Sequence, residues 1–201
     1  GVLNIVHGYG NKVGDALCRH PDVPIISFTG GTSTGEKIAS ASAPMFKKMS
    51  LELGGKNPNI IFEDADLDNA VNMATKAAFS NQGQICLCGS RLFVQESIYN
   101  DFRSAIIEET KTLQVGDPQD EKSNLGAVVS KEHMDKILGC IEQAKEEGGE
   151  ILTGGNRLLL NGDLKDGYYI EPTIIDGLSV DCKTNREEIF GPVVSIIPFK
   201  T

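Results

Sequence analysis

Apolar residues recur along this chain at two spacings, and the alternation between them sets the expected architecture. In the first third, short apolar runs punctuated by Gly and Pro alternate with helix-compatible stretches, as in parallel βαβ units. Strands are expected at residues 2–6, 23–28 and 47–53, with helices at about 14–20 and 33–42 that stop at Pro21 and before Pro44. A fourth strand is expected at 59–62. After it, Leu67, Ala70, Val71, Ala74, Ala77 and Ala78 follow the i, i+3, i+4, i+7 rule of an amphipathic helix, and Asp66 and Asp68 suit the positive end of its dipole. A polar loop, Ser80-Asn81-Gln82-Gly83-Gln84, leads to Ile85-Cys86, and a strand follows at 91–95. Two more amphipathic helices, about 98–114 and 131–147, are separated by Gly116-Asp117-Pro118; Ser130 is placed to cap the second and Gly148-Gly149 to end it. The last apolar run, Val193-Val194-Ser195-Ile196-Ile197, reads as a strand. The fold class this pattern predicts is α/β.

A chain of 201 residues can bury a substantial core, and its length is compatible with one large domain or parts of two. With 40% hydrophobic and 23% charged residues it should be globular. Nineteen basic against twenty-eight acidic residues give a net charge of -9, which opposes attraction to nucleic acid or to an anionic membrane. No apolar run approaches the roughly 20 residues of a membrane-spanning helix. The start, Gly1-Val2-Leu3-Asn4, lacks the charged region of a signal peptide. Five irregularly spaced cysteines argue against a secreted disulfide framework, so a soluble cytoplasmic protein is expected. Cys86 and Cys88 form a C-x-C with no second pair and no nearby histidine, which argues against a zinc site; no metal is expected. There is no initiator Met, the first residues already read as a strand, and the last strand runs into Thr201. An internal fragment of a longer protein is expected.

Three places could carry chemistry. Thr29-Gly30-Gly31-Thr32-Ser33-Thr34-Gly35 joins a strand to a helix, where unpaired N–H groups and the helix dipole can hold a phosphate. It is neither G-x-G-x-x-G nor a Walker A sequence, so an ordinary βα turn is an equal reading. Cys86 is either an inert buried residue, the commonest fate of a free cysteine, or a nucleophile displayed by the polar loop before it. Glu52, in Met49-Ser50-Leu51-Glu52-Leu53-Gly54-Gly55, is either a solvent-facing strand residue or a carboxylate partly buried beside a cleft and suited to general-base work.

Glu52-Leu53-Gly54-Gly55-Lys56-Asn57-Pro58 resembles the glutamate signature of the aldehyde dehydrogenase superfamily, and Phe79-Ser80-Asn81-Gln82-Gly83-Gln84-Ile85-Cys86 resembles its cysteine signature. Glu52 and Cys86 are 34 residues apart (86 − 52), as in that family. Asn4-Ile5-Val6 with Gly8 and Gly10, Phe28-Thr29-Gly30, and Glu187-Glu188-Ile189-Phe190-Gly191-Pro192-Val193 extend the resemblance over essentially the whole chain. It implies the C-terminal part of a Rossmann-like NAD(P)-binding domain at 1–53 and an α/β catalytic domain at 54–201, truncated on its C-terminal side. The implied reaction takes an aldehyde through a hemithioacetal and a thioester on Cys86 to a carboxylic acid, with Glu52 activating water and the backbone N–H of Cys86 contributing to an oxyanion hole. The implied cofactor is NAD, with NADP open. Thr29, Gly30, Gly31 and the residues to Gly35 would meet it, Gly10 and Gly14 would border the adenine side, and Leu53 and Gly54 would lie near the nicotinamide. Glu188 would bind the nicotinamide ribose and Phe190 would pack on the ring.

The family's oxyanion-hole asparagine and a ribose-binding lysine would precede Gly1, and its oligomerisation strand would follow Thr201. The chain alone is therefore expected to be inactive, and its full-length parent to be a homo-oligomer, dimer or tetramer, acting on a small-molecule aldehyde. Residues 56–64 and 85–88 are similar to the branch that oxidises 2-aminomuconic semialdehyde, with retinal or general aliphatic aldehyde oxidation as the related alternative. A cysteine hydrolase or acyltransferase would also use Cys86, but His7, His20 and His133 have no signature of its histidine base around them. A non-enzymatic binding or structural protein on the same fold is disfavoured by the presence of both Cys86 and Glu52.

Overall fold

A computed structural model describes residues 1–200. They form two compact units, Gly1–Gly54 and Gly55–Thr201. In the first, a π-helical turn, Gly10–Gly14, runs into α1 (Asp15–Arg19), followed by β1 (Ile25–Thr29), α2 (Thr32–Ser42) and β2 (Lys48–Glu52). β1 and β2 pair in parallel from Ile25↔Lys48 to Thr29↔Glu52, so β1, α2 and β2 make one βαβ unit. Pro44, which cannot continue a helix, sits in the 3-10 turn Ala43–Met45 after α2. Gly35 lets α2 lie close to the segment after β2: a Cβ there would fall 2.5 Å from a methyl of Leu53.

The strand expected at 2–6 does not form. Val2, Leu3, Ile5 and Val6 are exposed and outside any ladder. An apolar run becomes a strand only where a neighbouring backbone takes its N–H and C=O groups, and among the described residues none does.

The second unit is built on a five-stranded sheet in the order β3-β4-β9-β8-β5, made of β3 (Pro58–Ile61), β4 (Arg91–Gln95), β9 (Val193–Phe199), β8 (Thr173–Asp176) and β5 (Glu150–Thr153). All neighbours are parallel except β5, which runs antiparallel to β8. One face carries α3 (Leu67–Phe79) and α4 (Tyr99–Lys111), whose Val71, Ala74, Phe79, Phe102 and Ile106 pack on Leu92, Val94, Val194 and Ile196. The other carries α5 (Lys131–Glu146), with Met134, Ile137 and Ile141 against Ile175 and Val193. Residues adjacent in sequence, Ile174 and Ile175 or Val193 and Val194, thus serve opposite cores, as the two-residue period of a strand requires. The second unit also holds a two-stranded antiparallel pair, β6 (Arg157–Leu158) and β7 (Tyr169–Ile170), a single helical turn, α6 (Lys183–Arg186), and short 3-10 turns.

The Ser130 cap read from the sequence is in place, and Asp66, read there only as suiting the helix dipole, also caps its helix. Asp66 accepts from the N–H of Asn69 at the start of α3 (2.9 Å), and Ser130 accepts from the N–H of His133 at the start of α5 (3.2 Å). Gly148, at φ 91°, ends α5. No helix among the described residues is long and apolar enough to cross a membrane.

Candidate active site

α3 ends at Phe79, and the chain then passes through three successive left-handed residues, Asn81 (φ 50°), Gln82 (φ 56°) and Gly83 (φ 68°), before reaching Cys86. A non-glycine residue in that region costs roughly 1–2 kcal/mol, so the loop needs external restraint. The Asn81 amide donates to the Gln84 carbonyl (3.1 Å), and the Gln84 side-chain oxygen accepts from the N–H of Val129 (3.1 Å). Gly83 nests against backbone, since a Cβ there would fall 2.1 Å from the Gly191 carbonyl oxygen. Asn57 supplies the strongest restraint: its amide donates to the carbonyls of Cys86 (2.6 Å) and Cys88 (3.1 Å).

The two thiols of this loop differ in setting. Cys86 is exposed, whereas Cys88 is buried and burial pushes its thiol up. Among the described residues no acceptor takes the N–H of Cys86, leaving it free to donate to a bound oxygen.

Cys86 lines a narrow cleft together with Cys88, Gly83, Glu188, Phe190 and Gly191. Three sequence-predicted residues, Cys86, Glu188 and Phe190, are therefore brought to one place within the second unit. The segment carrying the last two is gripped by one face of α5. His133 Nε2 lies 2.6 Å from the carbonyl oxygen of Phe190, itself left-handed at φ 60°, and the two rings meet edge to face at 6.1 Å. Lys136 Nζ donates to the carbonyls of Glu188 (3.4 Å) and Ile189 (3.3 Å). Gly191 sits on Ile137, where a Cβ would fall 2.5 Å from the isoleucine Cδ1. His133, Lys136 and Ile137 follow i, i+3, i+4 spacing. That spacing is legible in the sequence, but nothing there reveals what the polar pair faces.

In the first unit Glu52 is the last residue of β2, and its carbonyl accepts from the N–H of Gly30 (3.0 Å). Its side chain is exposed, so these residues do not provide the partial burial considered for it above. Thr29 ends β1, and Gly30 and Gly31 form the turn into α2. Gly31 caps α2 in an extended conformation with no side-chain cap, and among the described residues no backbone acceptor takes the N–H groups of Thr32 and Ser33. The donor set fits a dinucleotide phosphate: free N–H groups stand at the positive end of an 11-residue helix, and open space surrounds Gly31. Beside it, a groove open to solvent lies between α1 and α2, lined by Asp15, Arg19, Ser33, Glu36, Lys37 and Ser40. Gly10 and Gly14 bound the π-helical turn before α1, each with open space around it, and Leu53 and Gly54 follow β2.

The sequence pattern of the aldehyde dehydrogenase family matches residues 1–201. The chain belongs to the aldehyde dehydrogenase family. It is 48% identical over 201 residues to 2-aminomuconic semialdehyde dehydrogenase of Mus musculus, an alignment covering 99% of this chain and 41% of that protein. It is 46% identical over 202 residues to 4-trimethylaminobutyraldehyde dehydrogenase A of Danio rerio, covering 100% of this chain and 40% of the relative. Among solved structures, betaine aldehyde dehydrogenase of Staphylococcus aureus in complex with NAD+ superposes with a TM-score of 0.93 at 43% identity, covering 96% of this chain and 38% of that one. This aldehyde dehydrogenase chain thus spans about two fifths of the length of the relatives it matches.

Proposed function

We propose that the full-length protein oxidises an aldehyde to a carboxylic acid with NAD+, using Cys86 as nucleophile and Glu52 as the base that activates water. The observation that carries this reading is the exposed Cys86, held by Asn57 in a cleft it shares with Glu188 and Phe190. The Cys86 thiolate adds to the aldehyde carbon, forming a carbon–sulfur bond, while its free backbone N–H donates to the oxygen that becomes anionic. When bound, the dinucleotide supplies the hydride acceptor. The free N–H groups at the start of α2 hold its phosphates, and Glu188 and Phe190 orient its nicotinamide end at the cleft. Glu52 then removes a proton from the water that attacks the thioester, and the Cys86 sulfur leaves as thiolate. The 1–53 segment supplies the phosphate-binding turn and Glu52, and the 54–201 segment supplies Cys86 with Glu188 and Phe190.

For the substrate we favour a semialdehyde of the 2-aminomuconic type, supported by the 48% identical relative, although a relative named for a trimethylammonium aldehyde follows at 46%. We expect a homo-oligomer. The test is the full-length protein assayed with NAD+ and NADP+ against semialdehydes, aminoaldehydes and retinal. Cys86→Ala should lower turnover by at least about 10³-fold. Glu52→Gln should retain a rapid first turnover and lose the steady state. Full activity in Cys86→Ala would end the thiol mechanism, and unimpaired thioester hydrolysis in Glu52→Gln would remove Glu52 from it.

A further inference from the structure

Of the twelve asparagines in this sequence, only Asn161 is followed by a glycine. The pair stands in the loop between β6 and β7, and both residues are exposed. Asn161 is extended (φ -99°, ψ 173°), and Gly162 follows it in the left-handed region at φ 63°, opening the 3-10 turn Gly162–Leu164. That turn is loosely closed: the N–H groups of Leu164 and Lys165 reach the carbonyls of Asn161 and Gly162 at 3.4 Å each.

Among the described residues, the Asn161 side chain neither caps the turn nor makes another hydrogen bond. Other exposed asparagines are engaged: Asn124 accepts from the N–H of Gln114 (2.7 Å), and Asn156 donates to the Gly154 carbonyl (3.3 Å) and the Glu171 carboxylate (3.1 Å). The Gly162 N–H has no backbone acceptor among the described residues. Nothing lies within 4 Å of where a Cβ would stand on Gly162, so rotation about the Asn161 Cα–C bond, which brings that nitrogen toward the amide carbon, meets open space. The two Asp-Gly pairs of the chain lack this freedom. The Gly167 N–H is taken by the Leu164 carbonyl (3.0 Å), and a Cβ on Gly167 would fall 2.2 Å from the Tyr169 ring. Ahead of Gly177, the Asp176 carboxylate is held by Arg103 (2.8 Å) and by the Tyr99 hydroxyl.

We propose that Asn161 is a self-modifying site of this protein, at which the side-chain amide closes onto the following peptide nitrogen and is converted to an acid. The Gly162 nitrogen gives its proton to hydroxide and attacks Asn161 Cγ, forming a carbon–nitrogen bond. The side-chain nitrogen takes a proton from water and leaves as ammonia, and a succinimide ring remains. Water then opens the ring at either carbonyl, leaving aspartate or isoaspartate. Nothing is oxidised or reduced. Either product adds a negative charge to a chain already at -9, and isoaspartate also carries the main chain through the former side chain, lengthening the loop. The reaction uses no residue of the Cys86 cleft, so it stands or falls independently of the function proposed above.

The test ages the full-length protein in heavy-oxygen water at about pH 7 and pH 8, digests it with trypsin under mildly acidic conditions, and follows the peptide from Leu158 to Lys165 by mass spectrometry. Conversion at Asn161 should exceed that at the exposed Asn100, whose following Asp101 carries a Cβ, by about tenfold. It should rise by about tenfold from pH 7 to pH 8, as the deprotonated fraction of a very weak acid does. Gly162→Ala should lower it by about tenfold. Asn161→Gln, whose amide would have to close a larger ring, should convert as slowly and serves as the comparison if Gly162→Ala does not fold. An Asn161 to Asn100 ratio above about three in the folded protein, lost in either variant, sustains the proposal. A smaller ratio, conversion only after unfolding in guanidinium, or a rate unchanged in both variants overturns it.

Discussion

Replacing Asn57 by Ala removes the two hydrogen bonds that fasten the nucleophile loop, at 2.6 Å to the Cys86 carbonyl and 3.1 Å to the Cys88 carbonyl. Each such bond is worth about 1 kcal/mol net. Water can replace the donor at the exposed Cys86 carbonyl more easily than at the part-buried Cys88 carbonyl, which sets the expected loss at about 1.5–2 kcal/mol. The loop already holds two non-glycine residues in left-handed conformations, Asn81 and Gln82, so this loss should appear as local opening. Cys88 reports it directly: the residue is 8% exposed in the closed loop, where burial also raises the pKa of its thiol. Its labelling by a disulfide reagent should accelerate by about 10- to 30-fold in Asn57→Ala, since 1.4 kcal/mol is a factor of ten. Cys86, already exposed, should change by less than about threefold. Asn57→Asp should open the loop further, because a carboxylate oxygen would then face two carbonyl oxygens. Cys88 protection unchanged within threefold in both variants would refute the assignment of Asn57 as the restraint.

His133→Ala removes the contact to the Phe190 carbonyl and should raise the KM for NAD+ by about tenfold, with a much smaller effect on kcat. His133→Gln, which keeps an N–H donor, should recover part of it, and equal KM values in all three proteins would show that α5 does not position the cleft loop. Lys56 carries a pH prediction: its folded value of about 8 lies below the ordinary 10.5, so the folded state bears the cost of the charged amine below pH 8. The unfolded chain then holds the extra proton between pH 8 and 10.5, and stability rises across that window by up to about 3 kcal/mol at 1.36 kcal/mol per unit. Chemical denaturation at pH 8 and pH 10 should show this rise relative to Lys56→Met, and identical slopes in the two proteins would contradict it.

Elements whose signal lies within one stretch of sequence were legible from it. The strand at 91–95 and the start of α5 at Lys131 emerge where expected, because alternation and a capping serine are local facts. The helix expected at 98–114 is shorter, Tyr99–Lys111, since the 3-10 turn Glu96–Ile98 precedes it and the N–H groups of Thr112 and Leu113 bond three residues back, to Glu109 and Thr110. Between 150 and 192 the strands are two to four residues long, too short to show a period, and they form by pairing with one another or with β9. The run at 2–6 has the right composition and no partner. At the site, the polar loop before Cys86 was readable, as were Glu188 and Phe190 within their motif. Asn57, His133 and Lys136 were not singled out, because each acts on a carbonyl about thirty or more residues away in sequence.

β9 is the last strand among the described residues, yet it lies at the middle of the five-stranded sheet, with Arg91 of β4 opposite Ser195 on one side and Ile174 of β8 opposite Val194 on the other. During synthesis on the ribosome, β4 and β8 keep open the edges that β9 fills until residues 193–199 clear the exit tunnel. Loop closure over about a hundred residues makes that insertion slow, and the waiting edges are the surfaces a chaperone would shield.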